Sequence, residues 1–253
     1  MKKILLFFVL VGALNLYADE IISDEQALEL GMTEIFFTPQ KKIKTENKDE
    51  GQRDINDDKI NSTLAEVVII VNESDRSEEN PEGQTAKIYH HGNLLHKFDV
   101  SSGSRKIKVT TSGRRYIART PIGYWRPKRA YDEYFSYTFF GAEMPYAIFF
   151  YGGIALHGTT VTEMLGTRDS GGCVRFHPED IKKISELIRL SGDGNLSMKR
   201  EVLCLDGDTS NCITRRKYLD RAKYHDIDRH TGYLNNKIIW TYDALIVVKS
   251  PQG

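Results

Sequence analysis

The run Ala65-Glu66-Val67-Val68-Ile69-Ile70-Val71 constrains the fold more than any other stretch of the chain. It is too rich in β-branched residues and too short for a helix, so it reads as a buried strand. Others of its kind follow. Thr85 to His90 and Leu94 to Val100 flank Gly92-Asn93 and predict a hairpin. Tyr146 to Leu156 is apolar without alternation and predicts one strand buried on both faces, delivering His157 at its end. Ile238 to Val248 predicts a last strand that closes the sheet. A single strong helix signal interrupts the pattern. Pro178-Glu179-Asp180 suits a helix start, and Ile181, Ile184, Leu187 and Ile188 then make one apolar face, with Gly192 or Gly194 ending it. The fold class is therefore mainly β with helices (α+β), a mixed sheet or β-sandwich carrying a packed helix.

The chemistry concentrates between Ile154 and Arg175. Ile154-Ala155-Leu156 leads into His157-Gly158-Thr159, and Asp169-Ser170-Gly171-Gly172-Cys173-Val174-Arg175 follows, with sixteen positions from the histidine to the cysteine. A thiol of ordinary pKa, about 8.5, is mostly protonated at neutral pH, and a neighbouring imidazole that takes the proton makes it a nucleophile. Gly171 and Gly172 permit a tight turn, which predicts that the amides of Gly172 and Cys173 converge as an oxyanion hole. The bland alternative is an inert buried cysteine and an unrelated core histidine.

These residues resemble the signature of the L,D-transpeptidase catalytic domain, the YkuD-type family of peptidoglycan-modifying enzymes. The resemblance also includes Thr120-Pro121-Ile122-Gly123, Met144-Pro145-Tyr146 with Phe149-Phe150 and Gly153-Ile154, and Gly166 in the loop before the cysteine. It covers roughly residues 65 to 190 and a closing strand near 237 to 249. The family's fold is a YkuD-like β-sandwich or mixed sheet with an α-helix. By the resemblance, Cys173 is the nucleophile, His157 its base, and Gly158 the residue whose carbonyl orients the imidazole. Ser170, Gly172 and Arg175 shape the nucleophile turn, and Tyr146 and Thr159 are candidate substrate contacts. The implied activity is attack of the Cys173 thiolate on the third residue of a tetrapeptide stem. D-Ala then leaves a thioester, and an amine of a second stem forms a 3→3 cross-link. Water in place of the amine gives an L,D-carboxypeptidase, a lysine of an envelope protein gives attachment, and a decayed site leaves a peptidoglycan-binding module. No cofactor or metal is needed for thiolate acyl transfer.

The remaining sequence sets boundaries. Lys2 and Lys3 precede an apolar run from Ile4 to Leu14, and Leu16-Tyr17-Ala18 offers a cleavage site, so residues 1–18 read as a signal peptide. Export to the periplasm follows, with membrane contact only if the signal stays uncleaved. Residues 19–64 read as an N-terminal segment and charged linker before a catalytic domain at 65–250. Lys+Arg and Asp+Glu both number 35, so no basic excess marks a nucleic-acid partner. The segment 124–143 mixes Trp125, Tyr131, Tyr134, Phe135, Tyr137, Phe139 and Phe140 with Arg126, Lys128 and Arg129. It reads either as a lid whose arginines meet stem-peptide carboxylates, or as a satellite core. Residues 195–236 stand outside the resemblance as an insertion that holds Cys204 and Cys212, a candidate disulfide that would leave Cys173 as the odd thiol. His225-Asp226-x-Asp228-x-His230 reads as a solvated loop. His90, His91 and His96 read as surface histidines, there being no Cys or carboxylate at ligand spacing.

Overall fold

The computed structural model describes residues 64–136, 138–191, 198–204, 212–218 and 221–249, of which 198–204 and 212–216 are described as backbone. The predicted signal peptide and most of the linker lie outside these residues. Among the described residues, no helix is long and apolar enough to cross a membrane.

Two sheets carry the structure. The first has five strands in the order Asn93–Asp99, Thr85–His90, Val67–Asn72, Ala244–Lys249, Gly123–Trp125. The β-branched run at 67–72 sits at its centre, with every residue but Asn72 buried, as its unbroken apolar character requires. It pairs in parallel with Ala244–Lys249, Val67 lying opposite Ala244. The second sheet has six strands in the order Val174–Phe176, Ile154–Gly158, Ile148–Tyr151, Arg129–Glu133, Cys212–Tyr218, Met198–Cys204. Apolar side chains of both sheets and of the helix form one core that includes Ile69, Phe150, Leu156, Phe176, Ile181 and Ile246.

Three expectations are corrected in detail. Tyr146 to Leu156 is not one strand but a hairpin, Ile148–Tyr151 against Ile154–Gly158. Gly152 at φ +50 turns the chain between them, a conformation open to glycine at little cost, and apolarity alone could not reveal the break. The first hairpin turns at His91-Gly92 rather than Gly92-Asn93, with φ of 47 and 78. The apolar stretch from Ile238 splits into the ribbon strand Leu234–Thr241 and the central strand Ala244–Lys249.

The helix spans Pro178–Leu190 and is capped by His177, whose side chain accepts from the Glu179 amide. Its apolar stripe, Ile181, Ile184 and Ile188, is buried against the sheet. Its C-cap is Ser191; the glycines expected to end it lie outside the described residues. Within the predicted insertion, Cys212–Tyr218 joins the second sheet by pairing with Arg129–Glu133, and Cys204 stands opposite Cys212 in the register. The expected disulfide between those two lies outside the described side chains.

Candidate active site

The strand ending in His157 runs parallel to Val174–Phe176, with Leu156 opposite Val174 and His157 opposite Arg175. Side chains alternate across a strand, so Cys173, two residues before Arg175, faces the same side as Arg175 and His157. All three border one cavity of about 160 Å³, together with Tyr116, Phe139 and Met144. Both the imidazole and the thiol are nearly enclosed, His157 being 7% and Cys173 8% exposed.

The imidazole has a defined tautomer. Its Nδ1 lies 2.7 Å from the Gly158 carbonyl, and since a carbonyl only accepts, Nδ1 carries the proton and Nε2 keeps its lone pair. Gly158 is itself pinned, its amide donating to the Pro145 carbonyl at 2.8 Å.

Enclosure governs the protonation states. Burial pushes the His157 pKa down from 6.5 to about 4, against the Gly158 hydrogen bond and with help from the Arg175 charge. It pushes the Cys173 thiol up from 9.0 to about 11, against a hydrogen bond from Ala155 and the same Arg175 charge. The enclosed site therefore holds a neutral thiol and a neutral imidazole at pH 7, not a preformed ion pair.

The turn that carries Cys173 is tied at several points. The Ser170 hydroxyl donates to the Cys173 carbonyl at 2.5 Å and accepts from the Gly172 amide at 3.0 Å. The Thr120 hydroxyl donates to the Gly172 carbonyl at 2.8 Å and accepts from the Gly103 amide at 2.9 Å. Gly172 stands at φ +119, and a Cβ there would meet the Arg119 carbonyl oxygen at 2.7 Å. These contacts correct one expectation. The Gly172 amide already donates to Ser170, so it is not directed at an oxyanion in the cavity, and Gly172 serves the turn by its backbone conformation and compactness. Behind the turn, Arg168 bridges the buried Glu73 at 3.0 Å and Asp75 at 2.6 Å, and Arg175 pairs with Asp169 at 2.7 Å.

Thr120→Val should lower kcat several-fold while leaving KM nearly unchanged. It removes one acceptor and one donor among buried groups, each worth about 1–3 kcal/mol when left unsatisfied. Steady-state kinetics beside thermal unfolding would check it; an unchanged kcat would show that Thr120 does not hold the turn.

The four expected substrate contacts do not border this cavity. Arg126 is 4% exposed, and its guanidinium donates to the carbonyls of Leu64 at 2.8 Å and Ala244 at 3.3 Å. It lines a different cavity with Tyr224 and Asp243. A charge that enters the interior turns to the nearest carbonyls, here through both terminal nitrogens, which takes Arg126 out of reach of a substrate at Cys173. Arg126→Ala should then leave apparent substrate affinity within about twofold and destabilise the fold by about 2 kcal/mol or more. A combined KM and urea-melt measurement decides, and a large KM increase would restore Arg126 to the substrate. Arg129 lies 4.9 Å above the Phe149 ring and reaches the Gly152 carbonyl at 3.4 Å. Tyr146 packs on the main core at φ 54, and Thr159 is buried with its amide on the Phe176 carbonyl.

The aromatic segment divides between its two readings. Trp125 and Tyr131 are core, Trp125 against Tyr151 at 4.7 Å and Tyr131 against Tyr134 at 4.9 Å. Ser136, Phe139 and Ala142 instead wall the cavity at Cys173. Three lining residues carried no chemical signal in the sequence: Tyr116, Lys108 and Val109 reach the cavity on a short two-stranded ribbon. Burial, and next the neighbouring Cys173, push the Tyr116 hydroxyl pKa upward, so it enters the site as a neutral phenol.

The family model of the YkuD L,D-transpeptidase catalytic domain matches residues 66–203, more than half of the chain. The chain belongs to this family. Solved structures similar to it include an L,D-transpeptidase from Xylanimonas cellulosilytica, 23% identical over 48% of this chain and 54% of that one, TM-score 0.40. An L,D-transpeptidase from Mycobacterium smegmatis is 12% identical over 73% of this chain and 59% of that one, TM-score 0.41. A third, from Stackebrandtia nassauensis, is 22% identical over 48% of this chain and 50% of that one, TM-score 0.34. The YkuD domain described here thus spans somewhat more than half the length of its first solved relatives. A search of curated proteins returns no match.

Proposed function

We propose that this protein is a cysteine-dependent L,D-transpeptidase of the cell envelope acting on peptidoglycan tetrapeptide stems. The observation that carries the reading is a thiol and an imidazole on one enclosed cavity within a YkuD domain, the imidazole holding its Nε2 lone pair. The lysines at 2 and 3 and the apolar run behind them support export.

Substrate entry changes the surroundings of two neutral groups. Sγ of Cys173 attacks the carbonyl of the third stem residue as its proton passes to Nε2 of His157. Imidazolium then forms, steadied by the Gly158 carbonyl on Nδ1–H. The amide of Cys173 supports the oxyanion in place of the pair expected with Gly172. His157 returns the proton to the departing D-Ala amine, leaving a thioester on Cys173. An amine of a second stem attacks the thioester and gives its proton to His157, the C–S bond breaks, the imidazolium returns that proton to the departing Sγ of Cys173, and a 3→3 cross-link results. No step calls on a cofactor or metal.

Water as acceptor would make the same site a carboxypeptidase, and a protein lysine would make it an attachment enzyme. Incubation with tetrapeptide muropeptides, followed by chromatography and intact-protein mass spectrometry, tests the proposal. Cross-linked dimers and an acyl adduct on Cys173 are expected. Tripeptides alone would shift the assignment to carboxypeptidase, and no adduct with no product would leave a binding module.

A further inference from the structure

We propose that Glu66, His90 and His91 form a binding site for a zinc-class divalent cation, separate from the Cys173 cavity. Their ligand atoms all lie within 4.8 Å of one another. Both imidazole Nε2 atoms converge on the same oxygen, Glu66 Oε1, at 2.9 Å from His90 and 3.5 Å from His91. Donors bound at about 2.0–2.1 Å to a tetrahedral ion stand about 3.3 Å apart, so small side-chain rotations admit the metal.

The backbone prepares this convergence. Consecutive residues of a strand point to opposite faces, which would separate His90 from His91. His91 instead adopts φ +47, a left-handed conformation uncommon for a residue with a side chain, and the two rings lie 4.2 Å apart on one side. Main-chain pairing fixes the carboxylate beside them: His91 N–H donates to the Glu66 carbonyl at 2.9 Å, and His90 stands opposite Val67. The carboxylate comes from the residue just before the neighbouring strand Val67–Asn72, 24 residues earlier than His90, which is why ligand spacing along the sequence did not reveal it.

A divalent ion uses both neutral imidazoles and the carboxylate together. Two imidazoles with one carboxylate favour zinc, copper or nickel over magnesium or calcium. All three residues are reachable from solvent, and a cavity of about 410 Å³ shares Glu66 and His91 with the cluster, leaving room for water or a small carboxylate at the fourth position. Asp243 on the same cavity accepts from the Glu66 amide at 3.3 Å, which helps fix the main chain that carries the carboxylate.

The test titrates chelator-stripped, untagged full-length protein with zinc chloride by calorimetry, and with cobalt chloride by absorption spectroscopy. One equivalent of zinc is expected to bind, unchanged by Cys173→Ser and weakened about 10- to 100-fold or more by Glu66→Gln. Cobalt should show visible bands without intense thiolate charge transfer in the near ultraviolet. His91→Gly separates ligation from folding, since glycine accepts the left-handed turn: the variant should melt no lower than the parent yet lose zinc affinity. Zinc binding untouched by Glu66→Gln and His91→Gly, a thiolate band with cobalt, or no binding would each overturn the proposal.

Discussion

Cys173→Ala should leave a folded protein whose turnover falls by about 10⁴-fold or more, as when a covalent nucleophile is removed. The loss should appear wholly in kcat, with no acyl adduct by mass spectrometry, because no other described thiol borders the cavity. The variant also separates a second effect. The folded thiol is raised from 9.0 to about 11, so its burial leaves stability intact below pH 9 and removes it as pH rises from 9 to 11. The shift corresponds to roughly 2–3 kcal/mol. Alanine cannot ionise, so the difference in urea midpoint between variant and parent should open across that window and nowhere below it. Residual turnover near the parental rate would remove Cys173 from the reaction.

His157→Gln should lower kcat by about 10³-fold or more, since no other imidazole among the described residues borders the cavity of the thiol. Its stability signature lies at the opposite end of the scale. The folded imidazole is depressed from 6.5 to about 4, so stability is complete above pH 6.5 and declines as the unfolded chain takes up the proton between 6.5 and 4. The total is on the order of 3 kcal/mol. Glutamine carries no such proton, so the variant should lose less stability than the parent over that interval. Parallel acid melts would contradict the buried neutral imidazole. A third comparison, thiol alkylation against pH, should show slow reaction at pH 7 that accelerates toward pH 11, since the resting site is not ionised.

The fold and the shared placement of His157 and Cys173 were legible where they depend on local chemistry. Val67 to Val71 could only be a buried strand, and Pro178 with its isoleucine stripe could only be an amphipathic helix. His157 and Cys173 stand in ordered motifs, and the structure puts them on one face because parallel strands align His157 with Arg175. What the sequence concealed depends on distant pairing. Arg126 looked like a substrate ligand because its fate rests on the carbonyls of Leu64 and Ala244, far away along the chain. The Gly172 amide looked available because nothing in Ser-Gly-Gly-Cys announces that Ser170 will fold back to accept from it. Tyr116 and Glu66 were missed for the same reason: each acquires its role from a neighbouring strand.

The parallel pairing of Val67–Asn72 with Ala244–Lys249 bears on how the molecule is made. Loop closure over so long a separation is slow, and the five-stranded layer lacks the strand that joins Val67–Asn72 to Gly123–Trp125 until residue 249 has emerged. Any chain halted or clipped upstream of that point therefore leaves Val67 to Val71 with an unpaired edge, a ready template for aggregation. The last strand to be made is thus the one that shields the first.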